Sequence, residues 1–198
     1  MKQLSADSLM AEYPLFQMED DGSIPISALQ LRFHQIGNET ASIAYKEWHY
    51  LGAIGFISTV NFGAYWNNKL EGAISYGSPN ATELKGYFDR HNQHGWWEIK
   101  RLAMSPLCPK NSESRFISWT IKYIRKFFRV HGVVTYADID QGHKGTIYKA
   151  TGFTLIKITD AKKDFVSNGK KIQRGKVKDL EGEWIHRSQK YLFVKKFK

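Results

Sequence analysis

Four stretches of this chain carry residue types that can do chemistry together. Arg101 lies in a strand-like run that leads through Ser105-Pro106-Leu107-Cys108-Pro109-Lys110 into a helix opening at Asn111-Ser112-Glu113-Ser114-Arg115. A helix N-terminus offers free N–H groups and the positive end of its dipole, so this segment reads as an anion site. Asn111, Ser112 and Ser114 can cap that end or add donors, and Lys110 and Arg115 add positive charge. Arg101 and Ser114 flank the loop and can hold a phosphate or carboxylate, the arginine by a bidentate fork. Asp138 falls at the carboxyl end of a short strand, where α/β sites gather; it can take a proton from an amine or orient a histidine. His49 and Tyr50 stand together near a helix end, where a neutral imidazole serves as a base or a metal ligand. Tyr148 offers a phenol, as an acid or an orienting hydroxyl. Each has a plainer alternative: an ordinary capped helix, a loop cap, a structural histidine in an aromatic patch, a core tyrosine.

The elements that must position these residues follow from periodicity. Ala28 to Ile36 alternates apolar and polar as a half-buried strand does. Asn38 to Tyr50 reads as a helix with Asn38 as its N-cap. Ser58 to Trp66 and Leu70 to Tyr76 read as strands joined by a hairpin turn at Asn67-Asn68-Lys69. The stretch Ala81 to Gly95 has no clear pattern. Trp96 to Met104 is a strand, and Asn111 to Arg129 is the clearest helix, with Ile117, Ile121, Ile124 and Phe128 on one face. Val133 to Ala137 is a strand, His143 to Ala150 a short helix ended by Gly152, and Phe153 to Ile158 a strand. Trp184 to Phe197 adds one or two more. The order predicts a mixed α/β (α+β) domain, with antiparallel hairpins early and a βαβ unit later. Residues 1–24 read as a lead-in, residues 25–198 as one domain, and about 157–198 as a basic C-terminal extension.

Composition narrows the classes. With 42% hydrophobic residues and 14% aromatics, a packed core is expected rather than disorder. No apolar run approaches the roughly 18 residues of a membrane helix, and the N-terminus lacks a signal peptide's apolar stretch. A cytoplasmic location, that of a host bacterial cell once the resemblance below is added, and no membrane partner are therefore expected. The single cysteine, Cys108, rules out an intramolecular disulfide and a thiolate-rich zinc site. The net charge of +10 suggests a polyanionic partner. Most of that surplus lies between Lys157 and Lys198, where 13 Lys and Arg stand against 5 Asp and Glu. Lys122, Arg125 and Lys126 on the outer side of the long helix, with Lys170, Lys171 and Arg174 in the tail, are the candidate DNA contacts. Ser167-Asn168-Gly169-Lys170-Lys171 suggests a basic hairpin tip able to enter a groove. Trp66, Trp96 and Trp97 are candidates to stack on an extruded base, or else core.

Tyr148-Lys149-Ala150-Thr151-Gly152-Phe153 is similar to the signature that follows the fifth strand of GNAT N-acyltransferases. That resemblance implies a central mixed, mostly antiparallel sheet flanked by helices, an acetyl-CoA or related acyl donor, and a tyrosine that protonates the departing thiolate. The loop at 105–115 has prolines and no glycine, unlike the usual pyrophosphate loop of that superfamily. A narrower likeness accounts for more of the chain. Trp48-His49-Tyr50-x-Gly52, Arg101-Leu102, Pro109-Lys110-Asn111-x-x-Ser114-Arg115-Phe116 and Tyr136-Ala137-Asp138-x-x-Gln141-Gly142-His143-x-Gly145-Thr146-Ile147-Tyr148 resemble the phage Mom family. So does the tail segment His186-Arg187-Ser188-Gln189-Lys190-Tyr191. The likeness spans roughly residues 40 to 195. It implies an enzyme that converts adenine in phage DNA to N6-carbamoylmethyladenine and so shields it from host restriction. Double-stranded DNA is the implied partner, and self-association into a homodimer stays open. The resemblance also brings iron into view as a cofactor, with His49 as the one candidate ligand; the sequence offers no tight His/Asp triad at ligand spacing.

Two other readings share the scaffold. A conventional N-acetyltransferase for a small-molecule or protein amine needs no basic tail and expects a glycine-bearing pyrophosphate loop. A noncatalytic DNA-binding protein would keep the basic surface but would not require Asp138 and Tyr148 to converge.

Overall fold

A computed structural model describes residues 23–52, 57–79, 95–172 and 180–197. Ten strands and three α-helices are present among them. Seven strands form one sheet in the order β1-β2-β3-β4-β5-β10-β6: β1 Arg32–Ile36, β2 Val60–Trp66, β3 Lys69–Gly77, β4 Trp96–Met104, β5 Gly132–Asp138, β6 Thr154–Ile158 and β10 Lys190–Lys196. Every neighbouring pair is antiparallel except β4 and β5. A second sheet, ordered β8-β7-β9, holds β7 Lys162–Ser167, β8 Lys170–Ile172 and β9 Glu183–Arg187. The helices are α1 Asn38–Trp48, α2 Ser112–Phe127 and α3 Thr146–Ala150.

Side-chain alternation along β3 and β4 sends successive residues to opposite faces, and the helices divide accordingly. Ala73 and Ala103 are register partners and pack with Ala41, Ala44 and Tyr45 of α1. Their neighbours Ile74 and Leu102 face the other way, into the main core with Phe62, Ile99 and the apolar face of α2. Phe116, Ile117, Ile121 and Ile124 are buried on that face, each contributing about 1.5–3 kcal/mol by leaving water. This is the helix periodicity read from the sequence. No described helix is long and apolar enough to cross a membrane.

Several boundaries differ from the sequence reading. Ala28–Gln30 forms a 3₁₀ turn rather than the start of a strand, because Ser27 and Gln30 close a capping box there. Gly37, not Asn38, is the N-cap of α1; the Asn38 side-chain Oδ1 accepts instead from Ser58 Oγ at 2.8 Å and Asn61 Nδ2 at 2.6 Å. The Asn67-Asn68 turn has φ of 43° and 62°, the left-handed pair that a two-residue hairpin needs. The basic tail is not simply an appendage: β10 slots between β5 and β6, and Leu192, Phe193 and Val194 are buried. The unpatterned stretch 81–95 lies almost wholly outside the described residues.

Candidate active site

The parallel pairing of β4 with β5 holds only where Trp96, Trp97 and Glu98 face Gly132, Val133 and Val134. Gly132 makes the closed end tight: a Cβ there would stand 2.2 Å from the Trp96 ring. Beyond these residues the two strands separate. Among the described residues their facing backbone edges have no strand partner there, and a cleft of about 630 Å³ opens between them. Its lining comes from β4, the carboxyl end of β5, the end of α1, the first turn of α2 and all of the 141–148 turn and helix.

Asp138 ends β5 inside this cleft. Tyr50 Oη donates to its Oδ2 at 3.1 Å, and Lys190 Nζ stands 3.7 Å from the same oxygen. The Ser188 hydroxyl donates to Oδ1, which also accepts the Asp140 N–H at 3.2 Å. Burial pushes the carboxyl upward, but Ser188, Lys190, Tyr50 and Asp140 outweigh it and hold Asp138 below its usual value. The group is therefore a carboxylate at neutral pH. Burial, together with the Asp138 charge, pushes the Tyr50 phenol up to about 12, so its proton stays on oxygen.

His49 stacks on Tyr50 with ring centroids 4.7 Å apart, and His143 meets the Tyr50 ring edge-on at 6.1 Å. Burial, with the charge of Arg101 behind it, pushes His49 down to about 4. Its Nδ1 accepts the Leu51 N–H at 3.1 Å, which assigns the proton of the neutral ring to Nε2. Nε2–H is a hydrogen-bond donor, a different role from the base or metal ligand expected from the sequence. Among the described residues no three His, Cys, Asp or Glu side chains gather as metal ligands. The described residues around His49 therefore hold no ligand set for iron.

Tyr148 is buried in the cleft wall, packed between Phe153 and Phe193, and its hydroxyl engages Thr135. Burial raises its phenol above the ordinary value. Gly145, with φ of 68°, lets α3 begin hard against Phe193. Arg101 lines the cleft on the α1 side of the sheet, opposite Ser75 in register.

The other residues read as an anion site divide around the first turn of α2. Lys110, Asn111, Ser114 and Arg115 line a second hollow of about 610 Å³ with Ile26 to Leu29. Glu113 faces the main cleft instead. Asn111 is the N-cap by position, at φ 74°, but its side chain makes no capping bond. Ser114 Oγ donates to the Asn111 carbonyl, and Arg115 donates to the Leu31 carbonyl at 2.8 Å while lying over Phe33. Ser112 is buried, donates to the Pro109 carbonyl and lines neither hollow. Burial, then Glu71 and Glu113, push the Cys108 thiol up to about 12, so it is no nucleophile.

Lys122, Arg125 and Lys126 are exposed on α2, with Arg125 over Phe197 and Lys126 over Phe127. Lys170 and Lys171 open β8, and Arg174 lies outside the described residues. Trp96 is buried, and Trp97 packs against Tyr76 and Phe128. Trp66 packs on the core, and none of the three lines the cleft. Trp48 does, as do His143, Gln141 and Lys190. These four stood in the resembling motifs, which was the one sequence signal for them.

A splayed β4–β5 pair with the last strand inserted beside β5 defines a GNAT acyltransferase fold. Solved structures agree. Arabidopsis thaliana NAA60 in complex with acetyl-CoA superposes with a TM-score of 0.55 at 16% identity, over 84% of this chain and 98% of that one. A Bacillus subtilis acetyltransferase in complex with CoA gives 0.54 at 13%, over 84% and 99%. Within that fold the chain belongs to the Mom protein family, which matches residues 30–194. It is 27% identical over 159 residues to the methylcarbamoylase Mom of Escherichia phage Mu, a match covering 79% of this chain and 60% of that relative's length.

Proposed function

We propose that this chain is a DNA-modifying transferase that builds N6-carbamoylmethyladenine in phage DNA and so protects it from host restriction. Family membership and the phage Mu methylcarbamoylase support the reading. The observation that carries it is the Tyr50–Asp138 pair beside the stacked His49 ring. Tyr50 donates its one O–H in a hydrogen bond to the carboxylate and keeps its proton, so its lone pairs are left to accept an N–H from an exocyclic amine. Asp138, held ionised by four donors, fixes that phenol and stabilises positive charge as it grows on the amine. His49 Nε2–H donates to an acceptor on the base or on the transferred group. Adenine N6 is paired inside a duplex, so the base must be extruded, and the Trp48-His49-Tyr50 cluster offers the aromatic surface to receive it.

An acyl-CoA donor fits the residues present. The unpaired backbone edges of β4 and β5 can bind the donor's amides, whereas Lys110, Ser114 and Arg115 line the second hollow and not this cleft. Such a donor would supply an activated acyl carbon. Because carbamoylmethyladenine joins N6 to a methylene and not to a carbonyl carbon, acyl transfer alone would not give that product, and a further step that forms the N6–methylene bond is required. Arg101 holds a negative or carbonyl oxygen in the cleft, and Tyr148 positions a proton in its wall.

Mass spectrometry of nucleosides from plasmid DNA of expressing cells tests this reading. A heavier adenosine bearing carbamoylmethyl is expected. Unmodified DNA together with acetylated small amines would replace it with a conventional N-acetyltransferase.

A further inference from the structure

We propose that the three-stranded sheet β8-β7-β9 is a duplex-DNA-binding arm that seats the DNA at the mouth of the cleft. The arm is inserted between β6 and β10. Both stems are fastened beside the candidate site. Gln189 Nε2 donates to the Thr159 carbonyl at 2.9 Å, and the Lys190 N–H donates to Thr159 Oγ1 at 2.9 Å. The Ile139 N–H donates to the Gln189 carbonyl at 3.1 Å. The residue directly after β9 is Ser188, whose hydroxyl is bonded to Asp138. Anything long that delivers a group to Asp138 therefore meets the base of the arm.

The arm's two faces differ in chemistry. Register sets Lys163 opposite His186, Phe165 opposite Trp184 and Ser167 opposite Lys170. Alternation puts Lys163, Phe165, Trp184 and His186 on one face, with no carboxylate among these four. Asp164 and Glu183 belong to the other face, where the Arg187 guanidinium grips Asp164. All five residues of β9 are exposed, and so is Lys163. Trp184 covers Phe165 yet keeps 46% of its own surface in water. A face that carries Lys163, His186 and the exposed Trp184 ring suits a phosphate backbone and the sugars and bases beside it. A narrow ribbon is also of a size to enter a major groove.

The basic stripe on α2 is less well placed. Glu113 at the helix start lines the cleft, and at 1.5 Å per residue Lys122 to Lys126 lie roughly 14–20 Å further along. The choice of duplex DNA rests on the reading of the cleft given under Proposed function; the face itself rests on the register.

The test is fluorescence anisotropy of a short labelled duplex with the full chain, across a salt titration. Lys163→Glu and the double variant Lys163→Glu/His186→Glu should weaken binding about tenfold or more near 0.1 M salt and flatten the salt slope. Lys122→Glu/Lys126→Glu should change it less. Trp184→Ala should also weaken binding; because it uncovers Phe165, the Lys163→Glu variant, assayed at a temperature well below its measured melting point, decides the matter. Wild-type affinity in the arm variants, a loss confined to the α2 variant, or tighter binding of single strands or RNA than of duplex would each overturn the proposal. Adenine modification is read separately. Modified DNA with arm-independent binding removes the arm alone, whereas arm-dependent binding without modified adenine keeps the arm and removes the enzymatic reading.

Discussion

Tyr50 Oη donates to Asp138 Oδ2 at 3.1 Å, across 88 residues of sequence. The bond ties the residues just after α1 to the last residue of β5, so the two walls of the cleft are held by one phenol and one carboxylate. The chemistry proposed here depends on that bond: it orients the phenol's lone pairs and keeps a negative charge beside the amine.

Ser188→Ala should disturb Asp138 without touching substrate. It removes a donor to a charged acceptor, a loss of about 1.5–3 kcal/mol. The Asp138 carboxyl is depressed in the folded chain, so its stabilisation is present above the unfolded pKa and lost as pH falls through the folded one. With Ser188 gone the folded pKa moves up toward the unfolded one, so the variant is less stable at neutral pH but has less of this stabilisation to lose in acid. Melting temperatures should show the gap between variant and wild type widest at neutral pH and narrowing as pH falls below the unfolded pKa. The acid limb of DNA modification should move to higher pH.

His49 should be uncharged through the whole physiological range. Its folded pKa of about 4 lies below the unfolded 6.5, so the stability it contributes is complete above 6.5 and lost as pH falls toward 4. Nitrogen NMR of the ring should show the proton on Nε2 at neutral pH, and titration only in acid. A ring that titrates near 6.5 would remove the donor role assigned to Nε2–H.

Gly145→Ala should cost about 2–4 kcal/mol, combining strain at φ 68° with a Cβ 2.2 Å from the Phe193 ring. Gly142→Ala is the control, since its φ of 70° is similar but nothing lies within 4 Å. It should cost only about 1 kcal/mol. Urea unfolding of both variants separates packing from backbone strain.

The sequence made some of this legible, for physical reasons that differ by residue. The long helix was readable because Ile117, Ile121 and Ile124 repeat at helical spacing and are buried together. Asp138 was readable as the end of an apolar strand. The partners Ser188 and Lys190 were placed by a long-range event, the insertion of β10 beside β5, which no local pattern encodes. The anion loop was read as one site, yet successive residues of a helix turn by about 100°. Glu113 therefore faces the cleft while Ser114 and Arg115 face the second hollow. The face of β7 and β9 that carries Lys163, Trp184 and His186 became visible only once their register was known.

The most direct measurement is nucleoside mass spectrometry of plasmid DNA from cells expressing the wild type, Tyr50→Phe or Asp138→Asn, each folded and equally abundant. The wild type should yield carbamoylmethyladenosine. Tyr50→Phe, which keeps the ring stacked on His49 and removes only the hydroxyl, should lose it by about a hundredfold or more, as should Asp138→Asn. Full modification by Tyr50→Phe would contradict the account, because the bond to Asp138 would then have no part in the chemistry.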